Sequence, residues 1–156
     1  MSHEERLTAS GIVLPGPFAP HAPLLGAVVH GDVARTSGAL PRDAEGGFPT
    51  LGVCGRDVST EAGTACARLA LLNAVSLLRA EIGSLDRVAR VLTITVFVAS
   101  APDYTEQPTV ADGASRALLE VFGDGSGRHT RSAIGVASLP RGAPVEVELT
   151  VALTVG

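Results

Sequence analysis

PVEVELTVALTV, residues 144–155, alternates more cleanly than any other stretch of the chain. Val145, Val147, Leu149, Val151, Leu153 and Val155 fall on one side, and Glu146, Glu148, Thr150 and Thr154 on the other. A period of two is the mark of a strand with one buried face. The apolar side of this strand needs a covering layer. The side bearing two carboxylates needs water, or a second subunit that supplies cations.

The covering layer is legible upstream. Ser59 to Ile82 reads as a helix, with Ser59 as its cap, Glu61 in the first turn where a carboxylate meets the positive end of the helix dipole, and Gly83 as its stop. Ala, Leu, Val and Cys occupy most of its circumference, so it must be covered on more than one side. Pro108 opens a second helix that runs to Phe122, with Val110, Ala114, Leu118, Val121 and Phe122 as its apolar stripe. Gly123 ends it, and Gly113 inside it serves close packing or a local break. The Gly-rich run 123–127 follows a helix rather than a strand, so it reads as a flexible loop and not as a phosphate cradle.

Four further strands fit the same sheet. Leu24 to His30 and Val33 to Ser37 flank Gly31-Asp32, a pair suited to a type II′ hairpin turn. Val88 to Ala99 is rich in Val, Ile and Thr with little alternation, as in a central strand, and Arg131 to Ala137 is the last. Glu4 to Ala9 reads as a short helix. Leu14 to Pro23, with four prolines, reads as an ordered extended arm. Gly38 to Gly55 reads as a long loop. The order ββαβαββ gives an α+β fold, one sheet with two helices on one face, in a single domain over residues 1–156.

Composition bounds the function. The chain has 156 residues, 46% of them apolar but only 3% aromatic, and a net charge of −4. That balance argues against nucleic acid as a partner, since phosphate contacts need cations and single strands favour aromatic platforms. Two cysteines, Cys54 and Cys66, make no disulfide framework. The four histidines hold no metal-ligand spacing. No apolar run is long enough to span a membrane, and MSHEERL at the start carries no signal-peptide core. The expectation is a cytoplasmic protein without a metal or an organic cofactor.

One cation stands out. Arg131 opens a strand, and Glu146 starts the outer face of the next one, fifteen positions on. The pair is either a structural bridge between neighbouring strands or a carboxylate-binding arginine with an acid nearby.

Three segments carry a family resemblance. They are Ser37-Gly38-Ala39-Leu40-Pro41, the VFVAS run ending at Ser100, and RSAIGVASLPRGAPVEVE from Arg131 to Glu148. With GRDVSTEAG, LLNA, QPTVADGAS and EVFG, they resemble a longer subgroup of the Rid family of reactive-intermediate imine deaminases, also called YjgF-type or L-PSP endoribonuclease-like. The resemblance implies a chorismate-mutase-like homotrimer with ligand clefts between subunits. It implies that Arg131 binds the carboxylate of a 2-imino or enamine acid. It further implies that backbone near Gly38 and Ala133, with Glu146, places the attacking water, and that Ser37 lies beside the cleft. The sequence departs from the family at three points. Leu24 stands where many members have Tyr, Ala133 where Cys is common, and Asp112 in place of an Asn near the cleft.

The expected function is therefore hydrolysis of reactive 2-imino acids to 2-oxo acids and ammonia. A non-catalytic trimeric binder of small carboxylates would need Arg131 but not Glu146. Imine condensation or cyclisation would use the same groups. The endoribonuclease of an older family name is disfavoured by the net charge.

Overall fold

The structure is a computed structural model that describes residues 1–18 and 20–155. Chain order is α1 (His3–Ala9), β1 (Ala27–His30), β2 (Val33–Thr36), α2 (Thr60–Ile82), β3 (Val88–Ala99), α3 (Gln107–Gly127), β4 (Thr130–Val136) and β5 (Val145–Leu153). The strands form one sheet in the order β1-β2-β5-β3-β4. Only β3 and β4 run parallel, joined by α3 as the crossover.

The alternating strand lies at the centre of this sheet. β5 pairs antiparallel with both β2 and β3. Its five apolar side chains from Val145 to Leu153 are buried, while Glu146, Glu148, Thr150 and Ala152 on the other face stay half-exposed. Ile94, Val96 and Val98 of β3 continue the buried layer, and α2 and α3 cover it. α2 buries Leu71, Val75 and Leu78, and α3 buries Val110, Leu118 and Val121. The two helices meet at glycines: a Cβ on Gly113 would strike the Thr64 carbonyl, and one on Gly63 would press on Cys54 Sγ. Gly113 therefore serves close packing.

Helix caps follow the sequence. Ser59 Oγ accepts from Ala62 N, and Gly83 closes α2 at φ 83°. Ser2 and Glu5 form a reciprocal capping box on α1, which packs against α3. Gly31 takes a positive φ of 60° in the β1–β2 turn, where His30 pairs with Val33. Of the proline arm, residue 19 lies outside the described residues, and the rest of residues 14–23 forms neither helix nor strand.

The structure corrects three expectations. The first strand begins at Ala27 rather than Leu24: Gly26 O still accepts from Ser37 N, but Leu25 O is taken by the Ser37 hydroxyl, and the strand pairing stops there. The run 123–127 is not a flexible loop. Gly123 breaks the helix at φ 70°, and the chain then winds a further helical turn to a buried Gly127, whose carbonyl is held by His129. Arg131 and Glu146 do not bridge neighbouring strands, because β3 runs between β4 and β5.

The face of the sheet away from the helices carries Val28, Val33, Arg35, Thr95, Phe97, Ile134, Glu146 and Glu148, all exposed or half-buried. Val28 on β1 is 49% exposed and Ile134 on β4 43%, so each edge strand presents an apolar side chain on this face.

Candidate functional site

Glu146 and Gly38 meet at one corner of the open face. Past the end of β2, Ala39 exchanges two backbone hydrogen bonds with Val147, at 2.9 and 3.0 Å. The buried Thr36 hydroxyl accepts from Leu149 N at 3.1 Å and fixes the same crossing from the other side. Gly38 is thereby pressed against its neighbour's side chain, and a Cβ there would run into the Glu146 carboxylate. Glycine at 38 is what lets that carboxylate lie flat against backbone. Ser37 stands beside it, its hydroxyl donating to Leu25 O at 2.6 Å.

The Glu146 carboxyl is half-buried. Burial pushes its pKa above the usual carboxylate range, and the neighbouring Glu148 adds to the rise. Arg35 on this face bonds Glu148 at 3.0 Å rather than Glu146. Among the described residues no cation pairs with Glu146. A carboxyl with a lifted pKa and an open side is suited to taking up and passing on a proton.

Arg131 belongs to a second cluster. It points to the helix side of the edge strand β4, in register with the buried Ile94. Its Nη1 donates to Asp112 Oδ1 at 2.8 Å and to Ser115 Oγ at 3.0 Å, and its Nη2 to the Pro108 carbonyl at 3.3 Å. Ser115 in turn contacts His129 Nε2 at 3.0 Å, while His129 Nδ1 sits 2.6 Å from the Gly127 carbonyl. A carbonyl only accepts, so Nδ1 carries a proton and donates to Gly127 O. Arg131 is thus held by three groups of α3, and one of them, Ser115, is braced in turn by His129. The side chains of Arg131 and Asp112 remain 23% and 43% exposed, so the pair can still reach a ligand. Ala133, two residues on, is half-buried with its methyl against the core.

The sequence-derived site therefore separates into two halves. Ser37, Gly38 and Glu146 come together, and so do Arg131, Asp112 and, on the same strand, Ala133. The halves lie on opposite faces of the sheet with β3 between them, so within one chain no small ligand touches both Arg131 and Glu146. Sequence reasoning missed Ser115 and His129. The spacing of Asp112 and Ser115, one helical turn apart, was the signal that could have put both beside Arg131. Leu24 is 56% exposed.

A cavity of about 640 Å³ opens beside Ser37 and Gly38, walled by the proline arm, α2 and the turn at residues 140–142. The cysteines take no part in it. Cys54 is fully buried with its thiol pushed up to about 11 by desolvation, and burial raises Cys66 as well. Among the described residues no three His, Cys, Asp or Glu side chains gather as a metal site, and no helix is long and apolar enough to cross a membrane.

Known proteins share this architecture. The family described as "YjgF/chorismate mutase-like, putative endoribonuclease" matches residues 4–151. Protein TCP17 of Trypanosoma cruzi is 46% identical over 143 residues, 92% of this chain and 89% of that protein. The crystal structure of Atu1372, a protein of unknown function from Agrobacterium tumefaciens, is 34% identical. It covers 99% of this chain and 93% of its own, with a TM-score of 0.87. A "putative endoribonuclease" from Shewanella oneidensis is 31% identical over 98% of this chain and 100% of its own, with a TM-score of 0.92.

Proposed function

The chain belongs to the YjgF/chorismate mutase-like family, and from that premise we propose that it hydrolyses reactive 2-imino acids to 2-oxo acids and ammonia, in clefts between the subunits of a homotrimer. One observation carries the reading: a half-buried Glu146 carboxyl with a raised pKa, unpaired among the described residues, pressed against the backbone of Gly38. An imine carbon is already electrophilic, so the reaction asks for a placed water and a proton relay rather than an activated nucleophile. Water adds to the C=N carbon to give a carbinolamine. The nitrogen takes a proton, the C–N bond breaks, and ammonia leaves as the C=O bond forms. Glu146 is the group that carries the protons. Backbone at Gly38 and Ala133 orients the water, with Ser37 at the rim.

The split site supports the subunit cleft. Arg131 of one protomer and Glu146 of another can face the same ligand only if the open sheet faces and edges come together, and three-fold closure does this with identical clefts. Arg131 then grips the substrate carboxylate with the N–H groups that Asp112 leaves available. Asp112 answers part of the Arg131 charge, so carboxylate binding is weaker than a free arginine would give.

A non-catalytic carboxylate binder is the second reading, favoured by that same Asp112 contact. An RNA-cleaving role finds little support in a chain of net charge −4. The test generates 2-imino acids in place from several amino acids with an oxidase and follows oxo acid and ammonia. Faster release with the protein present, together with a light-scattering mass of three chains, is the expected result. No acceleration for any side chain by a folded trimer refutes deamination. A mass of one chain at micromolar concentration refutes the cleft.

A further inference from the structure

The cavity beside Ser37 and Gly38 is lined by Arg42, Arg141 and His21, with no Asp or Glu among the described residues of its wall. Its size lies within the range of small-ligand pockets. In a chain of net charge −4, two arginines facing one cavity without a carboxylate partner is unusual. Among the described residues neither arginine forms an ion pair. Asp43, beside Arg42 in sequence, has its carboxylate taken by the backbone N–H groups of Glu45 and Gly47, at 3.1 and 2.7 Å.

Both arginines are held in ways that suit a ligand. The Arg42 guanidinium lies 4.5 Å from the Phe48 ring centre and 5.8 Å from that of Phe18, and Nη1 donates to Gly46 O at 2.8 Å. Its backbone is tied to α2, because the buried Asn73 amide donates to Arg42 O at 2.9 Å. The cation is pre-organised, with N–H groups left over. Arg141 sits at φ 62°, ψ 11°, the left-handed region that Gly or Asn would occupy with less strain. A long cation kept at a strained position on a cavity wall is a functional signal.

We propose that this cavity binds a second anionic group of the substrate, so that the protein acts on 2-imino acids carrying two acidic groups. The inference rests on the reading of Gly38 and Glu146 as the reacting corner. The first carboxylate goes to Arg131, the imine carbon lies at Gly38, and the distal carboxylate or phosphate enters between Arg42 and Arg141. Hydrolysis leaves both acidic groups unchanged, so the product is a 2-oxo diacid or its phosphate-bearing counterpart. A substrate with two charges also offsets the weakening of Arg131 by Asp112.

Calorimetry with the full chain tests this without turnover, using butyrate, glutarate and 2-phosphoglycolate as probes. At least tenfold tighter binding of glutarate or phosphoglycolate than of butyrate is expected, and whichever binds tighter names the anion. Arg42→Gln and Arg141→Asn should each shrink that preference. Arg141→Asn keeps the turn, because Asn accepts the left-handed backbone, and an unchanged melting temperature shows the fold intact. Equal affinity for the three probes overturns the proposal, as does a preference that survives both substitutions. If the preference holds but no imine is hydrolysed, deamination alone fails. If one-charge imines are hydrolysed with no diacid preference, the second anion site alone fails.

Discussion

Asp112→Asn should strengthen carboxylate binding while slightly weakening the fold. In the structure Asp112 Oδ1 accepts from Arg131 Nη1 at 2.8 Å, and Asn can keep that acceptor in place without the charge. A hydrogen bond between charged groups contributes about 1.5–3 kcal/mol and a neutral one about 0.5–1.5, so about 1 kcal/mol separates them. With the two side chains 23% and 43% exposed, solvent screening brings the difference to about 0.5–1 kcal/mol. Arg116, with its side chain 70% exposed and 4.0 Å from Asp112, adds nothing of weight. Released from this competition, Arg131 should bind a ligand carboxylate roughly two- to fivefold more tightly. The same loss should lower Tm by no more than about 4 °C in a chain of this size. Butyrate titration and thermal melting of the protein measure both. Arg131→Ala is the control: it should abolish the gain and most of the binding. Unchanged or weaker carboxylate affinity in a folded Asp112→Asn protein would show that Arg131 is not the ligand's anchor.

Other outcomes follow from the same geometry. Glu146→Gln should cut turnover by at least about a hundredfold, the usual worth of a proton-transfer group, while probe binding persists. Because the folded pKa of Glu146 lies above its unfolded value, its contribution to stability is fully present below the ordinary carboxylate pKa and is lost as pH rises through the raised one. The Gln variant should therefore melt higher than the parent at pH 7, with the gap closing near pH 4. A parent that loses stability on acidification through that window without a matching loss in the Gln variant would contradict this. Gly113→Ala should cost about 1–3 kcal/mol by forcing α2 and α3 apart at Thr64, and a denaturant midpoint that does not move would refute the close-packing role. Cys54 and Cys66 should resist alkylation in the native protein and react only on unfolding. Labelling at native pH without loss of structure would refute it.

The parts of the fold legible in advance were those with a strong period or a local cap. The alternation in Val145–Leu153, the Ser59 cap and the Gly83 stop each depend on contacts within a few residues, so the chain announces them. The errors arose where distant partners decide. Residues 123–127 looked mobile because glycine has no preference of its own. His129 and the underside of Leu118 supply the order, since a Cβ at Gly127 would crowd the Leu118 carbonyl. Arg131 and Glu146 looked like neighbours because they start successive strands, but strand order is a property of the whole sheet. Of the candidate site, the residue types and their family resemblance were readable. The Ser115–His129 support of Arg131 and the Arg42–Phe48 stack were not, because neither has a sequence period.

By itself, the sequence determined a β-strand with an apolar face and an acidic one, two helices to cover the apolar face, and an acidic chain poor in aromatics. These follow from side-chain period and composition, which are one-dimensional quantities. Only the tertiary structure decided that β3 separates Arg131 from Glu146, that Asp112 occupies part of the Arg131 fork, and that Gly38 is pressed against a carboxyl whose pKa burial has raised. Those depend on which face of the sheet each side chain takes and on what desolvates it. Such contacts join residues as far apart as Gly38 and Glu146, and no local pattern encodes them.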